Sequence, residues 1–318
     1  RELILAIALV LGAARAFEAP SLSSLLPTIV PATIFPRAVA GSASANQFAT
    51  IAGPALGGLL YAVSPVGAYV TSAALYFAAS LLVGFIPLMI AAAKRDRFSI
   101  QSLFAGFTFI RRQPIVLGAI SLDLFAVLLG GATALLPVFA RDVLHTDAAG
   151  LGLLRACPAV GALTTSIVLT RWPLRAGVGR IMYVCVCLFG AATIVFSLST
   201  WLPLSMASLM LLGCADLISV VIRSTLVQLS TPDEMRGRVS AVNSLFIGTS
   251  NQLGEFRAGV MAAVIGSVGA VLVGGVGTLV IVAIWIRLFP ELYRVDNMQA
   301  VRPVPHPAPA PAGSAAAS

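Results

Sequence analysis

The sequence predicts an all-α membrane protein, and three features carry that expectation. Hydrophobic residues make up 58% of the 318 and charged residues only 10%, with a mean hydropathy of +0.98. A water-soluble domain carries roughly a quarter charged residues, so this chain lacks the polar residues to coat a core of its own size. The apolar residues also come in runs of about 20, the length that crosses a bilayer as a helix. Inside lipid only helices and closed barrels satisfy the backbone, and barrel strands alternate where these runs are continuous.

About nine spans follow from the runs, near 3–25, 45–63, 67–92, 115–139, 149–170, 180–199, 202–226, 241–264 and 267–288. The gap 93–114 holds Lys94, Arg95, Asp96 and Arg97, then Arg111 and Arg112, and divides three spans from six. It is expected to be a cytoplasmic central loop. Residues 1–92 then form the last three helices of an N-terminal six-helix bundle, and 115–288 form a C-terminal six-helix bundle. Residues 289–318 form a cytoplasmic tail, disordered after about 297 where VRPVPHPAPAPAGSAAAS is rich in proline and alanine.

The net charge of +8 does not point to nucleic acid, because the basic residues sit in short gaps between apolar runs. Membrane proteins orient themselves by such gaps. Fourteen Lys and Arg residues fall on one side of the spans, and only Arg1 and Arg141 on the other. The first side is therefore expected in the cytoplasm, with the C-terminus, and Arg1 outside. The chain opens on Arg1 with no signal sequence before the first span, which reads as a protein whose front is missing.

An internal repeat supports that reading. At an offset of 201, Pro31 meets Pro232, Arg37 meets Arg238, Ala40 meets Ala241, Gly53 meets Gly254, and Gly58 meets Gly259. About six spans separate the copies, so both run the same way across the membrane, as in parallel two-halved transporters. Three of the first six spans are then absent, leaving about nine of twelve.

Several stretches carry a family resemblance. Leu11 to Pro31, LGAARAFEAPSLSSLLPTIVP, and Asn46 to Leu60, NQFATIAGPALGGLL, resemble the fourth and fifth helices of exporters in the major facilitator superfamily. The nearest branch is the one that includes enterobactin exporters and macrolide-efflux-like permeases. Ser230 to Gly259 resembles that branch's tenth-to-eleventh loop and eleventh helix, and FPELYRVD, Phe289 to Asp296, its ending. Gly53-Pro54-x-x-Gly57-Gly58 is similar to the core of the superfamily's antiporter motif. Two departures stand out: Thr50 replaces an arginine of many relatives, and the 171–180 connector lacks the usual acid. The resemblance implies a superfamily-like bundle and export driven by an ion gradient.

Gly53, Pro54, Gly57 and Gly58 suit that role physically. Small residues let helices approach closely in lipid, and an internal proline bends the helix. The set is expected to form a gating or helix-packing seam. Ionisable residues within spans are costly and face a cavity or a partner. The candidates for pathway or coupling are Arg15, Glu18, Asp123, Arg155, Asp216, Glu255 and Arg257. Arg15 and Glu18 lie three apart and can pair. Arg155 is either a cavity cation or a partner of Asp123. Arg223, near a span end, is expected to snorkel to the interface. A carboxylate in a low-dielectric cavity can exchange protons near neutral pH, so Asp123, Asp216, Glu255 and Glu18 are the candidate coupling groups.

The expected function is proton-coupled export of a small amphiphilic molecule, such as a drug, macrolide or siderophore, by alternating access. The alternative is a non-transporting scaffold or a channel-like subunit. An enzyme finds no support, since the only histidines are His145 and His306 and no nucleophile elbow, metal motif or phosphate loop is present. No cofactor and no metal are expected. The partners are a small-molecule substrate, protons and the bilayer of a bacterial inner membrane, with no nucleic acid, and the protein is expected to be a monomer. Cys157, Cys185, Cys187 and Cys214 lie inside apolar runs and read as packing residues.

Overall fold

Residues 7, 9–14, 35–85, 100–172, 174 and 176–296 are described by a computed structural model. Among them are helices and turns and no strand. Six of the helical stretches are long and apolar enough to cross a membrane. The chain divides into two units, 1–97 and 98–318.

In the first unit, α1 covers Phe35–Val63 and α2 covers Pro65–Gly84. Ser64 separates them. Its extended backbone and side-chain oxygen, which accepts from the Gly67 N–H at 3.0 Å, cap α2, and Pro65 supplies a preset first turn. No side chain of α2 is buried within the unit, as suits a helix whose apolar surface meets lipid or other helices. The first expected span, 3–25, lies mostly outside the described residues, of which 9–14 are helical. Arg15, Glu18, the charged run at 94–97 and the tail beyond 296 also lie outside them.

The second unit begins with α3, Ile100–Arg112, then α4, Pro114–Gly130. Beyond a break at Gly131, short 3-10, α and π turns carry the chain to Val143. α5 covers Ala148–Arg171, α6 Val178–Leu198, α7 Leu202–Ser230, α8 Asp233–Leu288 and α9 Pro290–Tyr293. Unbroken, the 56 residues of α8 would reach about 84 Å, against roughly 30 Å of hydrocarbon. Gly266 breaks it, with φ 80° and ψ 164°. Arg257 and Gly274 then face each other across the break, the guanidinium 3.4 Å from where a Cβ on Gly274 would stand. The two arms therefore lie side by side and make two crossings. The spans read at 241–264 and 267–288 part at this residue.

One boundary falls at the repeat's offset. α1 ends at Val63 and α2 begins at Pro65; at an offset of 201 these become 264 and 266, the break in α8.

One expectation is corrected. The gap 93–114 is not all loop, because α3 occupies 100–112. Its charged flanks hide an amphipathic stretch. Ile110 is fully buried against Val116, Met235 and Val239, and Gly106 lies against the backbone of Arg238.

Two further clusters fill the unit. Leu122, Tyr183, Ile222, Trp285 and Leu292 form one, and Phe139, Leu154, Phe196, Leu209 and Ala270 the other. The FPELYRVD segment closes the first. Leu292 is fully buried, the Asp296 carboxylate accepts from the Gly177 N–H at 2.9 Å, and the Val295 carbonyl accepts from the Gly179 N–H at 2.9 Å. These bonds satisfy donors that the start of α6 would otherwise leave orphaned. α5 and α7 cross where Gly161 meets the Met210 carbonyl and Gly213 meets the Pro158 carbonyl. The Cys214 thiol donates to the Gly161 carbonyl at the same crossing, at 3.2 Å. Either glycine's Cβ would collide with backbone. Gly213→Leu is therefore expected to destabilise the bundle by at least about 1–3 kcal/mol. Thermal unfolding in detergent checks this, and an unchanged transition would contradict the crossing.

Candidate functional site

Charges in a bilayer-spanning bundle need partners or water, so the site is built from them. Asp123 on α4 faces inward and is 8% exposed; Arg223 on α7 is 4% exposed. Their side chains form an ion pair with N to O at 3.2 Å. Arg223 also donates through Nη1 to the Asn243 side-chain oxygen on α8, again at 3.2 Å. Its Nε has no hydrogen-bond partner among the described residues. Arg223 thus does not snorkel, and Asp123 does not pair with Arg155. The reason is helix rotation: position 223 faces α4 and α8, not a span end, and packing commits it to the interior.

Asp216 sits two turns before Arg223, seven residues away, on the same face of α7. Asp216, Asp123 and Ser219 line one small cavity together with Ala126, Phe189 and Cys185. Its volume is about 10 Å³, near the lower limit for one water. Asp216 lies within electrostatic reach of both Asp123 and Arg223. A second carboxyl group therefore lines the same cavity as the Asp123–Arg223 pair. Arg223 and Asn243 escaped sequence reasoning as site residues. The seven-residue spacing of Asp216 and Arg223 was the available signal.

Arg257 has a different setting. Its Nε donates to the Leu128 carbonyl at 2.9 Å, Nη2 donates to the Leu129 carbonyl, and Nη1 contacts the Met261 sulfur at 3.0 Å. Leu128 and Leu129 lie in the last turn of α4, just before the break at Gly131. A helix C-terminus leaves carbonyls unpaired and carries partial negative charge, and Arg257 answers both. Gly254, one turn earlier, allows the approach, because its bare Cα lies against the Val127 carbonyl.

Glu255 points elsewhere. It is exposed on the unit, and so is Arg155; among the described residues neither makes an ion pair or a hydrogen bond. Glu255 shares an exposed stripe with Ser244, Gly248, Asn251, Gln252 and Gly259. Their spacing of three and four residues places them along one face of the first arm of α8. Leu245, Leu253, Phe256 and Val260 form an exposed apolar stripe beside it. A polar stripe on a spanning helix must face water or polar partners, so this face was the second feature missed. In the first unit, Gly53 and Gly57 are exposed, with nothing within 4 Å of a Cβ built on either. Pro54 and Gly58 are half-buried. No cluster of metal-binding residues occurs among the described residues.

The fold and its buried charges define a multi-pass helical membrane protein with ionisable groups inside its bundle. The chain belongs to the family described as transmembrane secretion effector, which matches residues 1–312, within the major facilitator superfamily of transporters. It is similar to the enterobactin exporter EntS of Citrobacter koseri, 27% identical over 249 residues, covering 78% of this chain and 60% of the relative. The enterobactin exporters EntS of Escherichia coli O139:H28 and Shigella boydii serotype 18 are each 26% identical, with the same coverage. The chain spans 60% of the length of these curated relatives.

Proposed function

We propose that the whole protein exports a small amphiphilic molecule across a bacterial inner membrane by proton-coupled alternating access. Family membership supports transport, and the named relatives favour a siderophore within a class that also includes drugs and macrolides. The observation that carries proton coupling is the cavity shared by Asp123 and Asp216 beside one Arg223. One proton neutralises the cluster, and one proton lost leaves it anionic in a low-dielectric interior, which penalises that state. Substrate passage and proton exchange then alternate. Residues 1–92 supply part of the N-terminal half and 115–288 the C-terminal half, joined by a cytoplasmic connector. The C-terminus is cytoplasmic.

Glu255 and its stripe form one wall of the pathway, with Arg155 a cation on it. Arg257 holds the end of α4, where the chain breaks at Gly131 and the pathway bends. The test uses the full-length protein in cells lacking other efflux, with enterobactin and a macrolide as trial substrates. Glu255→Gln is expected to cut proton-driven efflux by about 10²–10⁴-fold, the loss typical of removing a proton-transfer group. Full efflux in that variant would remove Glu255 from the coupling groups.

A further inference from the structure

Away from the buried charges, α3, α4 and the first arm of α8 enclose a groove of about 270 Å³. Phe107 and Ile110 of α3, Leu117 and Leu124 of α4 and Phe246 of α8 line it. Phe107 packs edge-on to Phe246, with ring centroids 6.3 Å apart. The lining holds one charged side chain, Arg111. Arg111 is exposed and makes no ion pair among the described residues, and Arg112 follows it. Ser121, the other polar residue of the lining, has its Oγ engaged by the Trp285 indole N–H at 2.9 Å. The groove therefore asks for an apolar chain, and its rim asks for an anion.

The groove's place in the unit selects the occupant. It opens at the end of the bundle where α4 begins and where Arg171, Arg180, Arg238, Arg287 and Arg294 also lie. At the opposite end, Arg141 is balanced by Asp142 at 3.7 Å, with Asp147 nearby in sequence. Phe246 and Glu255 are nine residues apart on α8, half a turn out of phase at 100° per residue, so the groove and the polar stripe face opposite ways. A basic pocket between spanning helices at one membrane face is the recognised setting for anionic lipid headgroups.

We infer that this groove binds an anionic phospholipid, one acyl chain lying between Phe107, Leu117, Leu124 and Phe246 and the phosphate on Arg111. The inference rests on the multi-pass membrane fold and stands apart from the transport reading. Trp285 reports on the site through its bond to Ser121. The experiment uses the full chain with every tryptophan but Trp285 changed to Phe, Trp172 and Trp201 among them, reconstituted in phosphatidylcholine vesicles. Brominated-acyl phosphatidylglycerol or brominated-acyl phosphatidylcholine is then added as quencher. The anionic lipid is expected to associate about fivefold more strongly than the zwitterionic one, and Arg111→Gln to erase that preference. Equal quenching by both lipids, or a preference that survives Arg111→Gln, would overturn the inference. Absence of quenching by either lipid would show protein covering the groove, and would overturn it as well.

Discussion

Arg223→Gln is expected to be the most damaging single charge change in the bundle. It strips Asp123 of its partner at 3.2 Å and leaves two carboxylates, Asp123 and Asp216, facing one cavity without a cation. Removing one partner of a buried ion pair costs about 3–5 kcal/mol, because the remaining charge stays buried and unpaired. Asn243 also loses the donor it holds at 3.2 Å. The doubly substituted Asp123→Asn/Arg223→Gln protein removes both charges together and is expected to recover much of the loss. A double-mutant cycle on thermal unfolding in detergent measures that coupling. If the two single changes simply add, the pair does not hold the helices as described.

Replacement of Gly57 or Gly58 by leucine is expected to abolish transport while leaving membrane insertion intact. Both glycines lie on α1, beside Pro54. The repeat bears on the expectation through Gly53 of the same motif. Gly53 corresponds to Gly254, and Gly254 lies directly against the Val127 carbonyl of α4. A helix seam made of bare Cα atoms lets backbones touch and slide, where leucine would interlock. Within the first unit nothing lies within 4 Å of a Cβ on Gly57, so leucine meets no obstacle in its own unit. Equal membrane levels with lost efflux would support a seam between moving parts. Unchanged efflux in the full-length variants would remove the gating role of these glycines.

The spans were legible because bilayer thickness fixes the length of an apolar run. The division of α8 at Gly266 could be read from the apolar runs alone. The helix at 100–112 was not, because Arg111, Arg112 and the basic run before it looked like a connector, and its apolar face is short. For the site, the types of residue were visible but their pairing was not. Asp123 and Arg223 lie on helices whose rotation is set by packing, and nothing in the local sequence tells which face turns inward. Arg257 shows the same limit from the other side. Its acceptors are backbone carbonyls of Leu128 and Leu129, which no residue pattern advertises. The polar stripe through Asn251, Gln252 and Glu255 was within reach, since its spacing follows the helical period.

Transport of protons against substrate is tested most directly in vesicles bearing the full-length protein. An imposed pH gradient is expected to drive substrate accumulation by the natural sequence. Asp216→Asn is expected to lose that accumulation yet keep substrate counterflow without a gradient, because the Asp123–Arg223 pair remains to hold the bundle. Gradient-driven accumulation by Asp216→Asn at the level of the natural sequence would contradict proton exchange at the shared cavity.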